Sequence, residues 1–233
     1  SYNEGKRIGP TLDRAVEYLS ATCERFEILV VNDGSTDDTV AVASERLSGV
    51  ENARVLDNPG NRGKGYSVRH GMLEATGDWV LFSDADLSTP IEEVEKLAQS
   101  AAKAQVIFGS RGLRSSEILE RQPIYRETMG RIFNLMVQAI ALPGIHDSQC
   151  GFKLFRKDAA HSVFSRTTIE GFGFDVEALY LARRLGWTLD EVPVRWVNDP
   201  ATTVNALVDS SRMAADLFRV RFRHRGVNKS SLD

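Results

Sequence analysis

Four short apolar runs, each set between turn residues and helical patterns, constrain this 233-residue chain more than any other feature. Residues 26–31, 53–56, 79–82 and 106–109 are too short for core helices and read as strands, the first a buried parallel one. Between them, residues 37–47 and the stretch after Gly65 up to Ala75 carry helical patterns, and Thr89-Pro90-Ile91-Glu92 has the form of a capping box with proline in the first turn. Residues 10–19 form an amphipathic helix, with Leu12, Ala15, Val16 and Leu19 on one face and Pro10 near its first turn. This alternation predicts an α/β fold, a mostly parallel central sheet flanked by helices.

The pattern changes after Arg111. Residues 118–140 read as largely helical, 152–155 and 192–196 as strands, 174–185 as a helix, and 204–223 as a last amphipathic helix with a basic end. No repeat, low-complexity tract or clear linker divides the chain, so residues 1–233 are expected to form one domain. Its nucleotide-binding half is 1–111 and its acceptor-side half 112–233.

The run Trp79-Val80-Leu81-Phe82-Ser83 ends in Asp84-Ala85-Asp86. Alternate strand residues share a face, so Asp84 and Asp86 point the same way where the strand gives out. Two like charges there repel unless a cation lies near, and hard oxygen ligands suit Mg2+ or Mn2+. Two solvated loop aspartates are the plain alternative. Asp33 likewise follows a strand, at the end of a parallel sheet where ligands collect, and could accept from a nucleobase or simply cap the next helix. Gly63-Lys64-Gly65 opens a helix, whose free N–H groups and dipole favour anions, with Lys64 adding a full charge. The spacing is not that of a P-loop. Arg111, Arg126 and Arg131 suit phosphate oxygens, or a solvated helix face.

Composition narrows the class. A net charge of −3 argues against a broad nucleic-acid footprint, and no apolar stretch is long enough to span a bilayer. No signal peptide is expected. Cys23 and Cys150 form no metal spacing and Cys150 lacks a histidine partner, so it reads as a packing residue in a reduced, cytosolic setting. His70, His146, His161 and His224 show no zinc spacing.

Tyr2-Asn3-Glu4, the segment from Val31 through Asp37, Asn61-Arg62-Gly63-Lys64-Gly65, Asp84-Ala85-Asp86, Gly109-Ser110-Arg111, the segment from Asp147 through Lys153, and Phe174-Asp175-Val176-Glu177 follow one another in order. The ordered set resembles the family 2 glycosyltransferases of GT-A (Rossmann-like) fold, and within them the dolichyl-phosphate β-glucosyltransferases, with dolichyl-phosphate mannose synthases as near relatives. The resemblance implies that Tyr2, Glu4 and Asp33 hold the nucleobase and ribose, and that Lys64 lies near the donor. It implies that Asp84 and Asp86 bind the divalent metal bridging the diphosphate. Arg111 and Arg126 would face the acceptor phosphate, and Asp147, Gln149 and Asp175 would line the sugar and acceptor side. In the family a central strand precedes Tyr-Asn-Glu, so the first strand is expected to be missing from this sheet. The mannose synthases carry a glutamine ligand where this chain has Ser88, and the membrane-spanning tail of some relatives has no counterpart here.

The expected activity is inverting transfer of glucose from UDP-glucose to a polyprenyl (dolichyl) phosphate, in a protein peripheral on the cytosolic face of a membrane, for which a homodimer is one option. The phosphate acceptor is mostly ionised at neutral pH, its second pKa being about 6, so no strong general base is needed. Residues 132–142 and the last helix, with Met213, Leu217, Phe218 and Phe222 beside Arg212, Arg219, Arg221, Arg223 and Arg225, could rest on an anionic lipid surface, or could be core and subunit-contact faces. The rivals are a GDP-mannose-dependent transferase, transfer to a hydroxyl with Asp147 or Asp175 as base, a non-catalytic nucleotide-sugar-binding module, and a nucleotidyltransferase.

Overall fold

The computed structural model describes residues 1–120, 123–198 and 206–232, with side chains except at 206–211 and 232. Chain order is α1 (Gly5–Thr22), β1 (Ile28–Asn32), α2 (Thr39–Leu47), β2 (Ala53–Asp57), α3 (Lys64–Glu74), β3 (Trp79–Ser83), a 3₁₀ turn (Ile91–Glu93), α4 (Val94–Gln99), β4 (Val106–Ser110) and β5 (Glu117–Ile118). Then follow α5 (Ile124–Ile140), β6 (Phe152–Arg156), α6 (Lys157–Phe164), α7 (Phe174–Arg184), β7 (Leu189–Pro193), β8 (Arg195–Trp196), α8 (Ala206–Arg223) and a final 3₁₀ turn (Lys229–Leu232).

β1 and β2 pair in parallel. The main sheet has the order β3-β6-β4-β7, and β5 pairs with β8. β6 runs antiparallel to both β3 and β4, whereas β7 is parallel to β4. β3, β4 and β7 therefore point the same way and β6 alone opposes them. The strand direction expected from the sequence holds for the strands that alternate with helices, and the sheet is mixed because β6 inserts between them. The pair β1–β2 shares no ladder with the main sheet among the described residues. Beside β1, the Ser1 nitrogen donates to the Val31 carbonyl at 2.5 Å and the Asp33 N–H to the Ser1 carbonyl at 2.8 Å, the bond pattern of a parallel neighbour.

Alternation along the strands divides the core. Val106, Phe108 and Phe155 join one cluster with α5, α6, α7 and α8, while Ile107, Phe152, Leu154 and Val192 pack on the opposite face. A third cluster holds α1 and α2 against β1. α7 is buried from Phe174 through Ala182, which forces Asp175 and Glu177 into the interior, where carboxylates require partners.

Several local expectations change. β3 is half-exposed along its length because it is the edge of its sheet. α1 starts at Gly5, so Pro10 lies inside it; its first amides are met from elsewhere, Glu4 N–H by Thr39 Oγ1 at 2.8 Å and Gly5 N–H by Asp37 Oδ2 at 3.1 Å. Thr89 forms no capping box: its hydroxyl lies 3.7 Å from Cys150 Sγ, and Glu92 instead binds Arg14. α5 begins only after Pro123, because Glu117 and Ile118 pair with β8. The strand expected at 192–196 is two strands, the chain leaving β4 at Val194 to meet β5. Of the last helix as expected, residues 204–205 lie outside the described residues. Its apolar side chains divide: Met213 and Leu217 join the core with Val220, while Phe218 and Phe222 are exposed. No helix among the described residues is long and apolar enough to cross a membrane.

Leu181 lies fully buried in the cluster that joins α7 to the sheet. Leu181→Ala is expected to cost about 2–5 kcal/mol, read as a lower urea midpoint with unchanged slope.

Candidate functional site

Residues 1–5 lie along the turn that follows β1. Thr36 N–H donates to Asn3 Oδ1 at 2.9 Å, alongside the Ser1, Glu4 and Gly5 bonds described above. Tyr2 and Glu4 are thereby brought beside Asp33. The Tyr2 ring is 46% exposed, and Glu4 accepts from Arg7 Nε at 2.7 Å. Asp33 is buried and does not cap a helix. Its Oδ1 accepts from Asn58 Nδ2 at 2.8 Å and Arg62 N–H at 2.9 Å, and its Oδ2 from Gly63 N–H at 2.8 Å. Burial opposes its charge, but these donors outweigh it and hold the carboxyl below the usual aspartate range. Asp33 thus ties the glycine-rich loop to the end of β1, and Asn58 is itself held by His70 at 2.8 Å.

The loop delivers Lys64 as the first residue of α3. Its Nζ lies 2.7 Å from Asp84 Oδ1. Asp86 Oδ1 accepts the Ser88 N–H at 2.9 Å across a tight turn in which Leu87 has φ 47°. Burial disfavours the Lys64 ammonium, yet Asp84, Asp175 and Asp86 surround it and raise it above the ordinary lysine value. The two carboxylates expected at the strand end therefore act on one cation. The Ser1 nitrogen also lies within electrostatic reach of Asp33, Glu4, Lys64 and Asp84, which places the residues expected on the donor side around one spot.

These residues suit a hard divalent cation. Both acidic side chains offer oxygen, and Asp84 already answers a positive charge. Asp84 also lies over Gly151, where an added Cβ would fall 1.9 Å from Asp84 Oδ2, so only glycine leaves the carboxylate its place. Among the described residues no group of three or more His, Cys, Asp or Glu side chains gathers as a metal cluster.

Two first-turn amides of α3 are not open to an anion. Gly65 N–H donates to the Glu170 carbonyl at 2.7 Å and Tyr66 N–H to the same oxygen at 3.3 Å. The two segments approach so closely that a Cβ on Gly63 would lie 2.5 Å from Glu170 O, and one on Gly65 2.3 Å from Ile169 O. Of the anion-binding groups expected here, the Lys64 side chain is the one that faces the acidic pair.

Asp175 is buried and paired with Lys153, whose Nζ also donates to the Cys150 carbonyl at 2.6 Å. Burial raises the Asp175 carboxyl, with Lys153 and Lys64 pulling the other way. Lys153 has no role in the sequence-based assignment; the signal was a lysine at an inward position of an apolar strand, where a charge must find a partner. Arg111 is held by Asp147, Nε to Oδ2 at 2.6 Å and Nη2 to Oδ1 at 2.9 Å, and stacks on Trp196 at 5.3 Å. Burial opposes the Asp147 charge, but Arg111 holds the carboxyl below its usual range. Gln149 donates its N–H to Asp147 Oδ1 at 3.1 Å, and its amide meets Met213 Sδ at 3.8 Å. Arg126 stands in the first turn of α5 with its N–H on the Pro123 carbonyl at 2.9 Å and its Nε on the Tyr125 hydroxyl at 3.2 Å. Cys150 is a packing residue as expected, its buried thiol pushed up to about 11.

Comparison with known proteins bears on the family and the fold. The family model "Glycosyl transferase family 2" matches residues 1–164. The chain is 32% identical to a dolichyl-phosphate β-glucosyltransferase of Dictyostelium discoideum, over 96% of this chain and 72% of that one. It is 35% identical to the enzyme of the same name from Drosophila melanogaster, over 96% and 73%. Among solved structures, the glucosyl-3-phosphoglycerate synthase of Mycobacterium tuberculosis, in complex with Mn2+, UDP and glucosyl-3-phosphoglycerate, superposes with a TM-score of 0.65 at 19% identity, covering 97% of this chain and 78% of that one. The fold is the GT-A fold.

Asp147→Asn is expected to destabilise the protein by about 3 kcal/mol at neutral pH, because Arg111 loses its carboxylate in a partly buried site. Asp147 titrates lower folded than unfolded, so its contribution is complete above about pH 4, the unfolded value, and is lost as pH falls through the folded one. Urea unfolding across that range should show the gap between wild type and variant closing on the acid side.

Proposed function

From the premise that the chain belongs to glycosyl transferase family 2, we propose that it moves glucose from UDP-glucose to a polyprenyl phosphate with inversion at the anomeric carbon. The observation that carries this reading is the acidic pair at the end of β3, with Lys64 on Asp84 and Asp175 within its field. A nucleotide-sugar diphosphate brings charge that such a site can match on both sides.

In this reading residues 1–111 bind the donor. Tyr2 lies over the nucleobase, Glu4 meets the ribose, and Asp33 acts through the loop it holds. Asp84 and Asp86 would hold a divalent cation, Mg2+ or Mn2+, which when bound offsets charge on the departing nucleotide. Lys64, released from Asp84, turns its ammonium to a diphosphate oxygen. On the acceptor side Asp147 engages Nε and Nη2 of Arg111 and leaves Nη1 to meet a phosphate oxygen, with Arg126 as a second contact from α5. Gln149 and Asp175 line the sugar. The acceptor oxygen is already anionic, so these residues act by positioning and by lowering the repulsion between two anions. The exposed Ile124, Tyr125, Ile132 and Leu135 of α5, with Phe218 and Phe222 of α8, form the face that rests on a membrane, on its cytosolic side.

Two measurements test this. Sugar nucleotides paired singly with a short prenyl phosphate should give product with UDP-glucose and not with GDP-mannose, and EDTA should abolish it. Asp84→Asn should lower turnover by about 100-fold or more; near-native turnover in that variant would overturn the assignment. In flotation with vesicles containing anionic lipid, Phe218→Ser with Phe222→Ser should cut the bound fraction at least about twofold, each aromatic side chain contributing buried apolar area.

A further inference from the structure

Glu177 lies outside the site just described, yet it is among the most fully satisfied carboxylates of the fold. It is 0% exposed, in the first turn of α7. One oxygen accepts the N–H groups of Thr168 at 2.9 Å and Ile169 at 2.8 Å; the other accepts the Thr168 hydroxyl at 2.8 Å and His224 Nε2 at 2.7 Å. His224 is itself buried, just beyond the end of α8, and its N–H is the donor because a carboxylate only accepts. One side chain therefore joins α7, the chain at 168–169 and the end of α8.

The next residue along that chain is Glu170, whose carbonyl caps Gly65 and Tyr66, and whose carboxylate binds Arg62 at 2.5 Å. Arg62 and Gly63 are the residues that Asp33 holds by their amides, and Lys64 follows them. A displacement of 168–169 has little room to be absorbed, since Gly63 and Gly65 already touch Glu170 and Ile169 more closely than any side chain permits. The path from Glu177 to Lys64 consists of short hydrogen bonds and backbone contact throughout.

We propose that Glu177 and His224 are positioning residues that set the start of α3, and with it Lys64, against Asp84. This rests on the donor reading of the site for its effect on catalysis, but its structural half stands without it. The pair does not touch the reacting atoms. It fixes the Glu170 carbonyl, and so makes donor affinity depend on how the end of α8 is seated.

The test uses the whole chain with Glu177→Gln, His224→Ala, His224→Gln and Leu47→Ala. Leu47 is buried on α2, in the cluster that holds α1 and α2 against β1 and contains no residue of α7 or α8, so its variant reports destabilisation alone. In the protein without ligand, amide hydrogen exchange at Gly65 and Tyr66 should quicken about tenfold or more in Glu177→Gln and His224→Ala. It should return toward wild type in His224→Gln, which keeps a donor, and stay unchanged in Leu47→Ala. In transfer assays the first two variants should raise the KM for UDP-glucose about tenfold while the acceptor KM and kcat stay within about twofold. Unchanged exchange at Gly65 and Tyr66, or an equal effect in Leu47→Ala, overturns the proposal. Altered exchange in a chain whose wild type neither binds UDP with Mn2+ nor transfers glucose upholds the positioning and instead refutes the donor reading.

Discussion

The contact between Lys64 and Asp84 governs the rest of the site. It joins the start of α3 to the end of β3, and it is made in a place sheltered enough for burial to oppose the lysine charge. An ammonium there needs more than one counter-charge, and it has them in Asp84, Asp175 and Asp86. Asp175 in turn needs Lys153, which enters from β6. The result is an alternating series of charges, each neutralised by the next, running from the middle of the main sheet out to the strand end. A series of that kind is costly to rearrange piecemeal, because removing one member leaves its neighbour buried and unpaired. It also explains why β6 tolerates a lysine at an inward position: the side chain is the inner end of the series.

The second constraint is steric. α3 presents its first turn to the loop at 168–172 rather than to solvent, and the Glu170 carbonyl takes two of the amides that every helix leaves open. Such an approach is possible only where both neighbours lack a Cβ, which accounts for Gly63, held at φ 102°, and for Gly65. Glycines that could have served to admit a phosphate to the backbone serve instead to admit another part of the chain. The electrostatic work of the loop then falls to the Lys64 side chain.

Much of the fold was legible because residues 1–111 obey local rules. Its strands are apolar runs and its helices follow after turn residues, so their order and direction could be read one after another. What could not be read came from partners distant in sequence. α1 begins five residues earlier than Pro10 suggests because Asp37 and Thr39 cap it from another element. β6 is antiparallel because it slots between β3 and β4, a matter of topology and not of pattern. In α8, Met213 and Leu217 differ from Phe218 and Phe222 only by a rotation about the helix, and the packing partner that decides between them is invisible in the helix itself. For the site, Asp84, Asp86, Lys64 and Asp33 are brought together as their spacing suggests. Arg111 was legible as an arginine near the site but not as one already in the grip of Asp147, and Lys153 and Glu177 stood in the motifs without a role, because their burial and their partners come from the packing of β6, α7 and α8.

Residues 1–111 and 112–233 interleave in the main sheet, and α7 adds a second link between them. Its buried face carries Asp175 toward the charge series and Glu177, two residues on, toward the loop that caps α3 and the histidine at the end of α8. On a helix, positions two apart point in different directions, so one short segment can serve both tasks without the two carboxylates sharing a partner. Both are ionisable groups in the buried stretch of the helix, and each is kept because three or more polar groups converge on it or a lysine neutralises it. α8, by contrast, turns Met213, Leu217 and Val220 inward and Phe218 and Phe222 outward, so its inner face is fixed by the same packing that orders α7 while its outer face stays available. A helix so divided can transmit how it is seated on its outer side to the loop on its inner side, and Glu177, bonded to His224 at the end of α8, is placed to receive it.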